Sequence, residues 1–440
     1  MSALCSILTG PLADSPGLFR EAPGLFWKKP ATDRESAPYT RVRRPRRLIS
    51  IGHSYAVALN RRLAHEMARA GGTEWEVTAV APSFFHGDLR GINLEGMAGE
   101  PCRLEAVPVY ITNRIHFMMY GRRLRQLLQS SWDLVHCWEE PYIFAGAQAA
   151  WWTKPQTPFV FWTAQNIAKR YPPPFSWLER FCLERCAGWL ACGQTVVDAL
   201  LPRAYDRKPY RIQPLGVDLD RFRPDLEAGA EIHRQLNWQV SGPPVVGYLG
   251  RFVAEKGLPI LLSALERTKT YWRALFVGGG PLEKQLRHWA VRYPNRVRVV
   301  TGIHHEQVPA FLNAMDILCA PSQTLPRWRE QLGRMVIEAF SCGVPVIASD
   351  SGEIPHVVQD AGVIVSEKDV NGWSHALSEL LETPTGRREL SVRGIARAQD
   401  TYAWPIIARG HLDFFAELLD GRAGLRKNAS ETALRSAIPA

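Results

Sequence analysis

Two carboxylates, Glu330 and Glu338, stand eight positions apart in EQLGRMVIEAFSCGVPVIAS (330–349), on either side of Gly333. An ideal helix would turn the second about 80° from the first, so the pair shares no single helical stripe. Pro326 and Gly333 predict a loop up to about 333, and MVIEAFSC predicts a helix closed by Gly343. A loop carboxylate and a helix carboxylate can still converge on one ligand. Carboxylates accept paired hydrogen bonds, which suits the vicinal diols of ribose and hexose. The Gly333, Arg334 and Met335 backbone lies at the helix start, where free N–H groups can meet phosphate. Glu338 sits among Ile337, Ala339 and Phe340, an awkward setting for a plain surface charge.

A second constellation is cationic. VVGYLGRFVAEKGLPILLSAL (245–265) reads as a strand, a turn at Gly250 and a helix with Pro259 in its first turn, and it sets Arg251 and Lys256 at the strand exit. Backbone N–H groups, helix dipole and fixed charge would then face one anion, although two solvated loop cations would look the same in isolation. One unit later FVGGGPLEKQL (276–286) follows a strand with Gly278 and Gly279, which let backbone approach a ligand closely. No Lys-Ser/Thr pair follows these glycines and no G-x-G-x-x-G is present, which disfavours a Walker loop and a hydride-transfer cofactor.

These groups need a scaffold. At 440 residues, 46% hydrophobic and 22% charged, the chain has the composition of a soluble protein of two or three domains. From RRLISIGH onward, apolar β-branched runs (EVTAVAP, RLEAVPVYI, DLVHCW, PFVFWTAQN, GWLACG, RIQPLG) alternate with helical patterns. GVDLDRFRPDLEAGAEIH breaks the rhythm, and a second series follows: PVVGYLG, RALFVGGG, RVRVVTG, ILCAPS, PVIASD and AGVIVS. Alternation of this kind predicts an α/β chain with two facing doubly wound, Rossmann-like domains. The expected divisions are a basic arm at 1–45, a first domain at 46–217, a linker at 218–240, a second domain at 241–400, a crossover helix at 401–420 and a disordered tail at 421–440. Ligands of such sheets lie beyond the carboxyl ends of the strands, so the chemistry belongs at the strand exits.

The net charge of +10 favours anionic partners: nucleic acid, an anionic membrane surface or a phosphorylated small molecule. Eight cysteines show no C-x-x-C pair and no histidines at zinc-finger spacing, so no metal site is expected and a reducing, cytoplasmic setting fits best. No apolar stretch reaches the ~20 residues that span a bilayer.

Taken together, GRFVAEKG, GGGP, APS, EQLGRMVIEAFSCGVPVIASDSGEIPHVV and PLGVDLDRF resemble the retaining family 4 glycosyltransferases of GT-B fold, over roughly residues 47–420. The resemblance implies a nucleotide-diphosphate sugar as donor substrate with no further cofactor, and a hexosyltransferase with a C-terminal helix returning to the first domain. It places Arg251 and Lys256 on the diphosphate and Glu330 on hydroxyls of the donor sugar, as catalytic groups. Gly250, Gly278, Gly279, Gly333, Arg334 and Met335 would line the donor, and Glu338 would hold its ribose. It further implies a saccharide or lipid-linked acceptor, a role in polysaccharide or glycolipid biosynthesis, and retention through a short-lived oxocarbenium-like ion pair.

The first domain departs from the family pattern. A pair of glycines common after the first strand is replaced by SIGHSY, where His53 is a candidate contact for diphosphate or acceptor, or a helix cap. The histidine many relatives carry after the strand matched by FWTAQN is replaced by Gln165 and Asn166, amides that bind sugar hydroxyls but cannot act as a base. DLVHCWEEPY brings His136, Glu139 and Glu140 near the expected cleft, His136 reading best as a buried structural histidine. RIHFMMYGRRLRQLLQSS joins Arg122, Arg123 and Arg125 to an aromatic and methionine cluster. It reads either as a surface lying on the inner face of the plasma membrane or as a helix packed on its own sheet. A nucleotide-sugar epimerase of the same fold stays open as an alternative. A nucleic-acid-binding role is not expected, because the basic residues lack a stacking pattern.

Overall fold

The computed structural model describes residues 44–86 and 91–422. All but two residues of the expected arm and of the expected tail lie outside them. Two parallel sheets organise the rest. In the first, the spatial order is Tyr210–Ile212, Gly188–Ala191, Phe159–Thr163, Leu134–Cys137, Arg46–Ile51, Trp75–Pro82 and Arg103–Val107, with every pairing parallel. In the second it is Val297–Val300, Arg273–Gly279, Val245–Arg251, Ile317–Ala320, Val346–Ser349 and Val363–Val365, again parallel throughout. Leu134–Cys137, Phe159–Thr163, Ile317–Ala320 and Val346–Ser349 are mostly apolar and buried along their whole length, as sheets covered on both faces require.

Each sheet begins at its centre and grows first to one side, then to the other. The order therefore reverses between Arg46–Ile51 and Leu134–Cys137 in the first sheet, and between Val245–Arg251 and Ile317–Ala320 in the second. At these switch points neighbouring crossovers diverge to opposite faces, opening a crevice at the strand exits. His53, Glu139 and Glu140 follow the first reversal; Arg251, Lys256 and Ser322 follow the second.

The chain crosses between domains twice at one place. Val217 and Ala403 form a parallel bridge, with Val217 N–H donating to Tyr402 O at 2.7 Å and Trp404 N–H to Val217 O at 3.3 Å. After the second crossing, the helix Trp404–Leu419 buries Ile407, Leu412, Phe414 and Phe415 and packs on the helix Arg62–Gly71 of the first domain. Arg211 holds Glu417 at 2.9 Å and Arg46 holds Asp420 at 2.7 Å. The expected return of the last helix is what the structure has. Within the stretch expected as a linker, Leu226–Gln235 is a helix. Asp225 caps it, accepting from Ala228 N–H at 2.9 Å, and it packs on the helix Val308–Asn313 of the second domain.

Candidate active site

At the second sheet's reversal, Lys256 Nζ lies 2.5 Å from Glu330 Oε2. The Ser322 hydroxyl donates to the same oxygen at 2.8 Å, so a ligand hydroxyl can approach Oε1. Both charged side chains are largely buried. Pairing offsets the desolvation that each alone would suffer. The Lys256 ammonium also stands 5.1 Å from the centre of the Trp328 ring. Arg251 differs: its side chain is 65% exposed and lies 3.5 Å from Glu255, so the guanidinium stands in solvent at the strand exit. Gly250, Gly278 and Gly279 end the two adjacent strands side by side. At Gly278, with φ of 153°, a Cβ would fall 1.8 Å from Gly250 O, so no other residue fits. Among the described residues nothing stands within 4 Å of where a Cβ of Gly279 would lie, so backbone there is open to a ligand.

Glu330 belongs to the loop and Glu338 to the helix Arg334–Ser341, which Gly333 opens in the left-handed conformation at φ 77°. The first-turn N–H groups have no acceptor within their own helix. Met335 and Glu338 are buried, while Arg334 is exposed and donates to Glu338 Oε1 at 3.0 Å. His305 Nε2 lies 3.7 Å from that oxygen, and Arg221 donates to His305 O at 3.2 Å. Arg62 and Asp218 join Arg221, Arg334 and Glu338 around a cavity of about 20 Å³ between the domains.

Across the gap, the first sheet's reversal is spanned by one carboxylate. Glu139 accepts from His53 N–H at 2.6 Å, pairs with His53 Nδ1 at 2.5 Å and accepts from the Tyr120 hydroxyl at 2.6 Å. This fixes the imidazole, whose Nε2 has no hydrogen-bond partner among the described residues. Burial alone would pull the His53 pKa down, but the Glu139 charge and hydrogen bond outweigh it and the net direction is up. His136 is fully buried, bonded to Ser50 Oγ at 2.9 Å; burial and the neighbouring His411 hold it well below the ordinary range, so it is a neutral core residue.

The two candidate amides have different fates. Asn166 Nδ2 donates to Glu330 O at 2.8 Å, tying the first domain to the loop that carries the carboxylate. Gln331 Nε2 returns a bond to Ala164 O at 2.8 Å. Gln165 instead turns its oxygen toward Arg203, at 3.5 Å. In RIHFMMYGRRLRQLLQSS, Met118, Tyr120, Leu124, Leu127 and Leu128 are core residues, and Arg122, Arg123 and Arg125 face solvent. The seven described cysteines are buried free thiols.

Two contributors carry little signal in the sequence, the first being Ser322 within APS. Glu353, within SGEIPH, reaches the first domain, where it accepts from Gln194 and Thr195 N–H. An acidic residue opening an otherwise apolar helix was the available signal.

The family described as "Glycosyltransferase Family 4" matches residues 56–221, and "Glycosyl transferases group 1" matches 230–398. A GDP-mannose-dependent alpha-(1-6)-phosphatidylinositol monomannoside mannosyltransferase of Mycolicibacterium smegmatis is 35% identical over 223 residues, 49% of this chain and 57% of the relative. A D-inositol 3-phosphate glycosyltransferase of Xylanimonas cellulosilytica is 30% identical over 219 residues, covering 47% and 51%. The chain thus spans about half the length of the curated relatives it matches. Among solved structures, the sucrose-phosphate synthase of Thermosynechococcus elongatus superposes with a TM-score of 0.64 at 21% identity, covering 86% of this chain and all of that one. Anabaena HepE in complex with UDP and glucose does so with 0.64 at 15%, covering 84% and 100%. Two family descriptions, one on each domain, and two sheets reversing toward one cleft lead to the same conclusion: the chain belongs to the family 4 glycosyltransferases of GT-B fold.

Proposed function

We propose that the protein moves a hexose from a nucleotide-diphosphate sugar to a saccharide or lipid-linked acceptor, with retention at the anomeric carbon, in building a polysaccharide or glycolipid. The observation that carries this reading is the Lys256–Glu330 pair beside the glycine strand exits. Lys256, Arg251 and the backbone at Gly279 can together stabilise the charge that develops on a departing diphosphate, the task a metal ion performs elsewhere. Glu330, steadied by Ser322, then faces sugar hydroxyls, and Glu338 faces the ribose. On transfer, the anomeric carbon's bond to phosphate breaks with its electron pair on the leaving diphosphate, and the acceptor oxygen bonds from the same side, its hydroxyl proton passing to that diphosphate.

The mannosyltransferase and inositol glycosyltransferase relatives make GDP-mannose the first donor to test, and a cyclitol or lipid-linked sugar the first acceptor. Among the described residues no helix is long and apolar enough to cross a membrane. Contact with the anionic inner leaflet would rest on the exposed Arg122, Arg123 and Arg125 and be electrostatic, since the leucines of that helix are in the core.

The test is incubation of purified protein with GDP-mannose, UDP-glucose and ADP-glucose, with and without lipid extract. Acceptor-dependent nucleotide release with an α-linked product supports the reading. An epimerised donor would transfer it to the epimerase alternative, and no turnover on any donor would refute it.

A further inference from the structure

A cavity of about 260 Å³ lies in the first domain between the helix Phe175–Arg185 and the short turns Leu201–Arg203 and Tyr205–Arg207. In FSWLERFCLER, Ser176, Arg180 and Glu184 recur every four residues and so share the helix face that lines it. Opposite them the chain reverses at Ala204, in the left-handed conformation at φ 68°, and Arg203, Arg207 and Lys208 form the other wall. The four cations stand against two carboxylates, Glu179 and Glu184, which leaves the walls at +2. Glu179 is only 6% exposed and already neutralised, because Arg203 donates to one of its oxygens and the Tyr205 hydroxyl to the other at 2.8 Å. Lys208 is turned to backbone, donating to Cys186 O at 2.6 Å and Glu184 O at 3.1 Å. Arg180 and Arg207 differ. Neither guanidinium, nor the Ser176 hydroxyl, has a hydrogen bond or ion pair among the described residues.

A concave wall of one sign raises the local concentration of the opposite ion. Guanidinium forks match the oxygens of phosphate, each able to take two at once, and a hydroxyl can donate to another. The cavity is smaller than the ~300–1,000 Å³ of sites for drug-sized ligands, so its occupant is small. We propose that this cavity binds a phosphate group, held by Arg180, Arg207 and Ser176, and that Arg203 links its occupancy to the cleft. The link is one shared guanidinium. Arg203 lines the cavity and also donates to Gln165 Oε1 at 3.5 Å. Gln165 stands between Ala164 and Asn166, whose bonds to Gln331 and to Glu330 O join the first domain to the loop of the donor carboxylate. A phosphate dianion draws Arg203 toward itself and away from Gln165, which frees the 164–166 segment. The phosphate has two chemical sources, a soluble ester or a lipid headgroup. Trp177 and Phe181 flank Arg180 on the helix and are 60% and 38% exposed, which sets apolar surface of the kind found at bilayer interfaces beside the cation. The proposal does not rest on the transferase reading, and no readout below requires turnover.

The experiment measures binding of radiolabelled inorganic phosphate by equilibrium dialysis to wild type, to Arg180→Gln/Arg207→Gln and to Lys256→Ala, which removes the donor-site cation. Both arginines are exposed, so the double variant should fold, and the two single variants repeat the measurement if it does not. We expect a phosphate site that survives Lys256→Ala and whose affinity falls roughly 10- to 100-fold in the double variant, the worth of hydrogen bonds to a charged group. Hydrogen exchange over 162–167 should quicken with phosphate in wild type and in Lys256→Ala, and stay unchanged in the double variant. Glycerol 3-phosphate, and phosphatidylcholine vesicles with and without phosphatidic acid, identify the source. Binding of glycerol 3-phosphate assigns a soluble ester; capture by phosphatidic acid vesicles alone, lost in the double variant, assigns a lipid headgroup. Phosphate binding lost in Lys256→Ala and intact in the double variant places the anion at the donor site and overturns the proposal. Absence of binding to inorganic phosphate, glycerol 3-phosphate and phosphatidic acid vesicles at ~10 mM overturns it too. So does binding that leaves exchange at 162–167 unmoved, since Arg203 then carries no link.

Discussion

Glu353, in the second domain, caps a helix of the first: its carboxylate oxygens accept from Gln194 N–H and Thr195 N–H at 2.8 Å each, and the Thr195 hydroxyl donates to it at 2.5 Å. Gly193 allows this approach, since a Cβ there would fall 2.3 Å from the carboxylate. A carboxylate at a helix start satisfies orphan N–H groups and meets the positive end of the dipole. The bond therefore joins the domains in the arrangement described. Glu353→Ala should lower stability by about 2 kcal/mol and speed hydrogen exchange around 193–197. Unchanged exchange in the folded variant would remove Glu353 from any role in holding the domains together.

The Lys256–Glu330 pair makes a different prediction. Lys256→Ala leaves the Glu330 carboxylate with Ser322 as its one hydrogen-bond partner among the described residues, and removes the cation proposed to stabilise the leaving diphosphate. Turnover should drop on the order of 100- to 1,000-fold, the usual loss for a charge-stabilising group, with a smaller effect on donor affinity. Steady-state kinetics with the preferred donor decides it: a rise in KM at constant kcat would assign Lys256 to uniform binding instead.

Glu338 is buried and already holds Arg334, so its loss should act on binding rather than turnover. Glu338→Ala should weaken nucleotide binding roughly 10- to 100-fold, the worth of hydrogen bonds to a charged acceptor. Calorimetry with the nucleotide diphosphate alone is the cleaner measurement, since it isolates the ribose contact from the sugar. Affinity equal to wild type in a folded variant would refute the assignment.

Local pattern made the second sheet and its strand exits legible. Apolar runs ended by glycines mark the strand exits, and Gly333 between Glu330 and Glu338 separates loop from helix. What stayed hidden was pairing at a distance. His53 and Glu139 are 86 residues apart, Thr195 and Glu353 158, and only the sheet order brings each pair together. RRLRQLL shows the same limit. Its basic face was evident, but whether its leucines met lipid or protein depended on how the helix sits on the sheet.

The His53–Glu139 pair gives a pH-dependent prediction. Burial lowers the His53 pKa, yet the Glu139 charge and hydrogen bond raise it further, to a net value above the ordinary 6.5. A raised histidine pKa means that the folded protein binds the proton more tightly than the unfolded chain does. The stabilisation is therefore complete below pH 6.5 and is lost as pH rises through the folded-state value. Glu139→Gln removes the charge but leaves the burial, so the His53 midpoint should fall below 6.5 and the loss of stability on the alkaline side should disappear. NMR titration of the His53 ring, with urea unfolding at pH 6 and pH 8.5, measures both. A His53 midpoint that does not move in Glu139→Gln would show that the carboxylate does not hold the proton, and would remove the charged imidazole as a ligand for diphosphate in the cleft.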